Sequence, residues 1–134
     1  MKVIIDGLEC QAEYGEFLLE IAERNNIHIP TLCHDEALPG QACCRVCIVE
    51  LMESGKRRVV TACVYPIVKE VEVITDSDRL RSMRRAILTL ILAQAPGSEP
   101  IRKLAKEYGV SFVSRFRTDE KEKCILCGLC VAAC

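Results

Sequence analysis

The sequence predicts an α+β fold, with a β-grasp sheet followed by helices and a short cysteine-rich segment. Short alternating strands flank one amphipathic helix in the first part of the chain, and a longer amphipathic helix follows them. Ten cysteines in 134 residues then fall mostly into two regularly spaced groups. We therefore divide the chain into residues 1–78, a β-grasp domain, residues 79–123, a helical connector, and residues 124–134, a separate cysteine-rich segment.

A hairpin is the first predicted element. Val3 and Ile5 alternate with Ile4, Asp6-Gly7 is a typical two-residue turn, and residues 8–12 return as the second strand.

One helix and three strands complete the predicted domain. A helix over residues 16–25 places four apolar side chains on one face, namely Phe17, Leu18, Ile21 and Ala22. Strands over residues 46–52 and 58–62 flank a turn at residues 53–56, and Val71, Val73 and Thr75 form a last alternating strand. Two strands, a crossing helix and further strands are typical of a β-grasp sheet.

The connector is predicted to be mainly helical. From Arg79 to Ala93, apolar residues recur at helical spacing and three arginines lie on the side predicted to face solvent. The predicted buried face is Leu80, Met83, Ile87, Leu90 and Ile91, and the arginines are Arg81, Arg84 and Arg85. A second helix runs from Pro100 to Tyr108, and Gly109 ends it. Residues 110–123 are predicted to be an exposed linker.

Composition narrows the setting. No secretory signal begins the chain, and the longest apolar stretch, residues 86–93, is too short to span a bilayer. We therefore expect a cytoplasmic protein without a membrane span. In a reducing compartment, cysteines at these spacings are expected to bind metal rather than to form disulfides.

Charge is distributed unevenly along the chain. Residues 1–78 carry 7 Lys/Arg against 14 Asp/Glu, whereas residues 79–123 carry 11 against 5. No aromatic residue interleaves with the arginines of residues 79–85, so we expect no nucleic-acid binding. The sequence contains no nucleotide-binding glycine motif and no Ser-His-Asp or Cys-His catalytic set. The chain is therefore predicted to have no substrate site of its own, and whether it is an enzyme is uncertain.

The first cysteine group is spaced C-x10-C-x2-C-x15-C and comprises Cys33, Cys44, Cys47 and Cys63. A [2Fe-2S] cluster requires four thiolates around a compact rhomb, two on each iron, and a loop that points backbone N–H groups at the sulfurs. Pro39-Gly40 allows a tight bend in such a loop, and Ala42 is small enough for a close approach. We therefore predict that this group holds a [2Fe-2S] cluster.

The second group is spaced C-x2-C-x2-C-x3-C and comprises Cys124, Cys127, Cys130 and Cys134. This spacing is typical of bacterial ferredoxins that bind [4Fe-4S] clusters, in which the fourth cysteine ligates another cluster. We expect residues 124–134 to begin a 4Fe-4S ferredoxin-type domain that is incomplete here. The alternative is a lone four-cysteine cluster at a natural terminus.

Five other residues near these groups have competing interpretations. Cys10 is expected to be a buried inert thiol, and Cys43 a non-ligand despite its neighbour Cys44. His34 is expected to be exposed or to lie beside the ligands, and His28 to be structural. Arg45 either raises the potential of a nearby cluster or is an ordinary exposed arginine.

Three segments around the first group resemble a known family: residues 27–33 (IHIPTLC), residues 44–50 (CRVCIVE) and residues 61–63 (TAC). They resemble the N-terminal [2Fe-2S] ferredoxin-like domain of the NADH dehydrogenase iron–sulfur subunit, a domain also found in NAD-linked formate dehydrogenases and NAD-linked [FeFe] hydrogenases. The resemblance covers about residues 1–93 and implies the same four ligands. Longer members carry a further motif of one histidine and three cysteines, but residues 64–123 contain neither residue type.

The leading functional prediction is an iron–sulfur electron-transfer subunit of a cytosolic oxidoreductase complex. The resemblance implies partners: a flavin-containing NAD(P)H-linked subunit and other iron–sulfur subunits, such as those of a hydrogenase, a formate dehydrogenase or a ferredoxin-linked, electron-bifurcating enzyme. The alternatives are a free-standing ferredoxin-like carrier, a structural zinc module, since C-x2-C pairs also bind zinc, and a redox or iron sensor, for which the sequence shows no DNA-binding motif.

Overall fold

A computed structural model describes residues 1–110 and 114–134. Five strands form one mixed sheet: β1 Lys2–Ile5, β2 Leu8–Gln11, β3 Ile48–Glu53, β4 Lys56–Thr61 and β5 Val71–Ile74. Their order across the sheet is β2-β1-β5-β3-β4. β1 is parallel to β5, and the other neighbouring pairs are antiparallel. The predicted α+β class and the β-grasp arrangement of strands and helix are confirmed.

Four helices accompany the sheet: α1 Leu18–Arg24, α2 Asp78–Gln94, α3 Glu99–Glu107 and α4 Leu129–Ala133, with a short 3₁₀ turn at Ala62–Val64. Within residues 1–110 and 114–134, no helix is both long and apolar enough to cross a membrane. Part of the predicted linker, residues 111–113, lies outside the described residues.

Both predicted hairpin turns are present, and their backbone explains their sequence. Asp6 and Gly7 have φ values of 50° and 83°, and Ser54 and Gly55 have φ values of 49° and 76°. Two successive positive φ values are typical of a type I′ turn, whose twist matches that of the flanking strands. These turns fix the register of β1 with β2 and of β3 with β4.

The main core lies between α1 and the sheet. Leu18, Leu19 and Ile21 of α1 are buried against strand side chains that include Ile5 and Leu51. Strand β3, which lies between β5 and β4, is also buried on its other face. There, the carboxylate of Glu50 accepts hydrogen bonds from Ser77 and Arg79 at the start of α2.

The predicted buried face of α2 was only partly right: Leu80 and Ile91 are buried, and Arg81 and Arg85 are exposed, as expected. Met83 is 36% exposed and Leu90 is 60% exposed, whereas Arg84, predicted outside, is only 1% exposed. The buried face instead follows an i, i+4 row through Leu80, Arg84 and Leu88. Residues 86–93 are almost uniformly apolar, so their periodicity does not define a face, and assigning every arginine to solvent shifted the predicted face around the helix.

A second core joins α2 and α3 to the chain that follows them. Leu88, Leu92 and Ile101 are buried in it, and Ile125 packs against it. The Thr118 N–H donates to the Ala93 carbonyl at 2.8 Å, and the Gly97 N–H donates to the Glu122 carbonyl at 2.8 Å. These contacts return the chain to the end of α2 just before the second cysteine group.

Candidate iron–sulfur site

Three elements position the first cysteine group. Cys33 and Cys44 lie in the long loop between α1 and β3, Cys47 immediately precedes β3, and Cys63 lies in the 3₁₀ turn that follows β4. Cys33 and Cys47 are each 2% exposed and Cys63 is 4% exposed, whereas Cys44 is half-buried. The predicted ligands from four separate places in the sequence therefore meet at one edge of the sheet.

The four thiols make pairwise contacts. The Cys33 thiol interacts with the thiols of Cys44 and Cys43, and the Cys47 thiol interacts with that of Cys63, so each changes the pKa of its neighbour. Cys33 and Cys63 are close enough to interact electrostatically, which links the two pairs. Two adjacent thiol pairs match the requirement of a two-iron rhomb, in which each iron takes two cysteine sulfurs.

Hydrogen bonds set the acidity of these thiols. The Cys63 thiol and several backbone N–H groups together lower the pKa of Cys47 to about 6, although burial opposes this change. The same contact with Cys47 raises the pKa of Cys63. Burial would raise the pKa of Cys33, but hydrogen bonds from Cys43 and Cys44 reverse the effect and lower it. The site therefore favours a thiolate, the form of cysteine that binds iron, in each pair.

The loop directs backbone N–H groups towards the sulfurs, as the sequence predicted. The Cys44 N–H donates to Cys33 Sγ at 3.4 Å, and the Val46 N–H donates to Cys44 Sγ at 3.5 Å. Ala42 and Arg45 have φ values of 51° and 61°, an uncommon conformation for non-glycine residues. Positive φ values beside these donors are typical of a backbone that is held in shape for a functional site.

Gly40 allows the loop to approach Cys63. A Cβ atom at this position would lie 2.8 Å from Val64 Cγ1 and 2.9 Å from the Cys63 carbonyl oxygen. Both distances are too short for a real contact. The sequence predicted a bend at Pro39-Gly40, and the structure adds that the glycine is required by contact with the turn that carries Cys63.

The chemistry of the donor set fits a two-iron cluster. A structural zinc site requires four donors arranged tetrahedrally around one ion. The paired thiols and their N–H···S hydrogen bonds instead suit the [2Fe-2S] group predicted for these residues.

The structure gives a position for each of the residues that had competing interpretations. Cys10 is buried in β2, which confirms the prediction of a core thiol. His34 is partly buried beside Cys33, neither of its ring nitrogens has a hydrogen-bond partner, and Glu23 lies 3.9 Å away. His28 and Arg45 are exposed. Solvent therefore screens the charge of Arg45, which favours the interpretation of an ordinary exposed arginine.

The second cysteine group lies against the loop of the first. The Cys43 thiol donates to the Cys127 carbonyl at 3.4 Å, and Gly128 is close to Gln41. Within the group, the Leu126 N–H donates to Cys124 Sγ at 3.4 Å. Cys124, Cys130 and Cys134 are exposed, and α4 buries none of its residues. The structure thus brings the two groups side by side without gathering the second group's thiols.

Sequence reasoning missed two features of this region. It asked of Cys43 only whether it is a ligand, predicted that it is not, and did not foresee its contact with a residue 84 positions away. It also placed Arg84 in solvent, although its guanidinium reaches the backbone on both sides of Cys47. A signal for Arg84 was available, since it lies four residues from both Leu80 and Leu88 on the same helical row.

Comparisons with known proteins agree with this geometry. The NADP-reducing hydrogenase subunit HndD of Solidesulfovibrio fructosivorans is 30% identical over 162 residues, covering 100% of this chain and 27% of its own length. An NADH-quinone oxidoreductase subunit of Rhizobium meliloti (strain 1021) is 31% identical over 160 residues, covering 100% of this chain and 18% of its own. The chain therefore spans about a quarter or less of the length of these relatives.

A solved structure and a family model match as well. The NAD⁺-reducing [NiFe]-hydrogenase in its H₂-reduced state superimposes with a TM-score of 0.80 at 27% identity, covering 98% of this chain and 64% of that chain. Residues 1–78 match the model of the 2Fe-2S iron–sulfur cluster binding domain, and these are the residues that carry all four thiols of the first group. The chain therefore belongs to the family of 2Fe-2S iron–sulfur cluster binding domains, in agreement with the resemblance found in its sequence.

Proposed function

We propose that the chain is an electron-relay subunit, or part of one, in an NAD(P)H-linked oxidoreductase complex. Cys33, Cys44, Cys47 and Cys63 would hold a [2Fe-2S] cluster, which supplies one-electron transfer when bound. The chain's own residues bind the cluster, shield three of its four ligands from water and donate N–H groups to the sulfurs. Relatives that are subunits of a hydrogenase, of an NADH-quinone oxidoreductase and of an NADH-ubiquinone oxidoreductase support this assignment.

The observation that carries the relay proposal is the contact between Cys43 and Cys127. Cys43 is bonded directly to Cys44 in the first group, and its thiol reaches the carbonyl of a residue in the second group. The chain just before the second group is itself packed against the end of α2, since a Cβ added at Gly97 would lie 2.7 Å from the Lys121 backbone. Two adjacent redox centres are what an electron relay requires, whereas a free carrier needs only one.

We further propose that Cys124, Cys127 and Cys130 ligate a [4Fe-4S] cluster only together with a further segment of chain, and that Cys134 belongs to another cluster. The exposure of α4 supports this, because nothing in the described residues covers a cluster there. Iron and sulfide analysis of the 134-residue chain is expected to give about two irons per chain. A stable content of about six irons would show that these four cysteines suffice by themselves.

The partner proposal follows from charge. Residues 1–78 have a net charge of −7 and residues 79–123 have a net charge of +6. Such a dipolar chain is suited to docking between two subunits of opposite surface charge. We therefore propose a permanent hetero-oligomer with a flavin-containing NAD(P)H-oxidising subunit and other iron–sulfur subunits.

Co-expression of the full-length gene with its neighbours, followed by size-exclusion chromatography in moderate salt, tests this proposal. We expect the chain to elute with a flavin-containing partner, and NAD(P)H to reduce its [2Fe-2S] centre within that complex. The Cys47→Ser variant is the control, since it is expected to keep the partner but lose that signal. A monomer that freely reduces soluble acceptors would instead establish the free-carrier alternative.

A further inference from the structure

Arg84 is buried without an acidic partner. It is the largest fully buried side chain among the described residues. Its guanidinium donates to three backbone carbonyls, Val46 at 3.1 Å, Ile48 at 2.5 Å and Thr75 at 3.0 Å, and lies 5.8 Å from the centroid of the Tyr108 ring. Among the residues that the structure describes, no carboxylate forms an ion pair with it. Arg79, on the same helix, is instead paired with Glu50. Arg84 thus carries a buried positive charge whose anion is not supplied by a side chain.

Such a charge is costly unless something negative lies nearby. Carbonyl dipoles satisfy the N–H groups of Arg84 but do not cancel its charge. Two of these carbonyls belong to the residues on either side of Cys47. The path from the Arg84 guanidinium through its hydrogen bond to the Val46 carbonyl, and then along the chain to Cys47 Sγ, is about 10 Å long. The guanidinium and Cys47 Sγ can therefore be no farther apart than that. The first cysteine group is therefore close enough to respond to this charge, and Glu50, a buried carboxylate on the neighbouring strand, is already paired with Arg79.

We propose that Arg84 is a positioning residue whose buried charge is balanced by the iron–sulfur cluster of the first group and raises the reduction potential of that cluster. The inference rests on the proposed [2Fe-2S] site. Thiolate ligands give the cluster negative charge, and the one electron that it accepts from its donor adds more. A fixed positive charge therefore stabilises the reduced form more than the oxidised form.

Burial distinguishes Arg84 from the other arginines near the site. Arg45 is adjacent to two ligands in sequence but is exposed, so solvent and salt screen it. The guanidinium of Arg81 lies on the same helix, is also exposed, and is paired with Asp76. Only a charge held away from water acts on the cluster at nearly full strength. Arg84 meets that condition, and its three hydrogen bonds hold it in one position.

The test is an EPR-monitored redox titration of the full-length chain in its complex. Arg84→Gln removes the charge but keeps a hydrogen-bond donor, Arg84→Lys keeps the charge, and Arg81→Met is the matched surface control. At a fixed ambient potential, we expect Arg84→Gln to lower the ratio of reduced to oxidised cluster by about tenfold, or about 59 mV for a one-electron couple. Arg84→Lys should shift less than half as far, and Arg81→Met should not shift.

A purely structural role for Arg84 predicts different results. In that case the Arg84→Gln variant would have a lower thermal stability without iron, and its cluster would keep the reduction potential of the wild type. That result would overturn the inference. We expect the iron-free Arg84→Gln chain to be at least as stable as the wild type, because it no longer buries an unbalanced charge. Failure of Arg84→Gln to fold even without iron would also count against the inference, whereas loss of the cluster from an intact fold supports it. If the wild type itself shows no [2Fe-2S] signal, the proposed function fails instead.

Discussion

Cys47→Ser is expected to abolish or grossly alter the reduced-state EPR signal of the first site. Cys47 is buried just before β3, and its thiol interacts with that of Cys63. An alkoxide is a poorer match to iron than a thiolate, and the backbone around Cys47 is held too firmly by β3 to offer another donor. EPR spectroscopy of the dithionite-reduced protein, together with iron per chain, measures the effect.

Two cysteines of this chain serve as matched controls. Cys10→Ala should leave the signal intact, because Cys10 is buried in β2 away from the loop. Cys43→Ala removes the contacts of the Cys43 thiol with Cys33 and with the Cys127 carbonyl but none of the four predicted ligands, so it should also leave the signal in place. Loss of the signal in Cys43→Ala, or a structure with the Cys43 sulfur on iron, would refute the ligand assignment.

Gly40→Ala is expected to be the most damaging substitution in the loop that does not remove a ligand. Its new methyl group would overlap the Val64 side chain and the Cys63 carbonyl. Relief of that overlap must move either the loop or the turn that carries Cys63, so the two thiol pairs would separate. We expect a loss of about 1–3 kcal/mol in the free energy of unfolding and a clear fall in cluster occupancy. Denaturant unfolding and iron analysis measure the two effects.

Glu36→Ala is the control for this prediction. Glu36 lies in the same loop, its side chain is exposed, and its substitution should change neither stability nor iron content by a measurable amount. If Gly40→Ala behaved like Glu36→Ala, the close approach of residue 40 to Cys63 would not matter for the site. The loop would then tolerate a displacement of its ligands that the described contacts do not allow.

The sequence alone determined most of the local structure. Both hairpins follow from turn residues that accept positive φ values, Asp6-Gly7 and Ser54-Gly55, between alternating strands. The start of α2 follows from Ser77, whose side chain accepts the Leu80 N–H. Cysteine spacing similarly defined both candidate groups, because ligand chemistry limits which residues can hold iron. These features depend on residues that are close together in the chain, so they can be predicted directly from the pattern of residue types in the sequence.

Tertiary structure decided which of these residues meet. Periodicity could not show that Arg84 faces the backbone around Cys47, since residues 86–93 of its helix are apolar on nearly every side and define no single face. Spacing could not show how the four thiols pair, or that Cys43 reaches Cys127 across 84 positions. Contacts of this kind depend on how separate elements pack, and each element constrains only its own residues. The sequence therefore predicted the donors of the site, and packing determined their partners and the charge beside them.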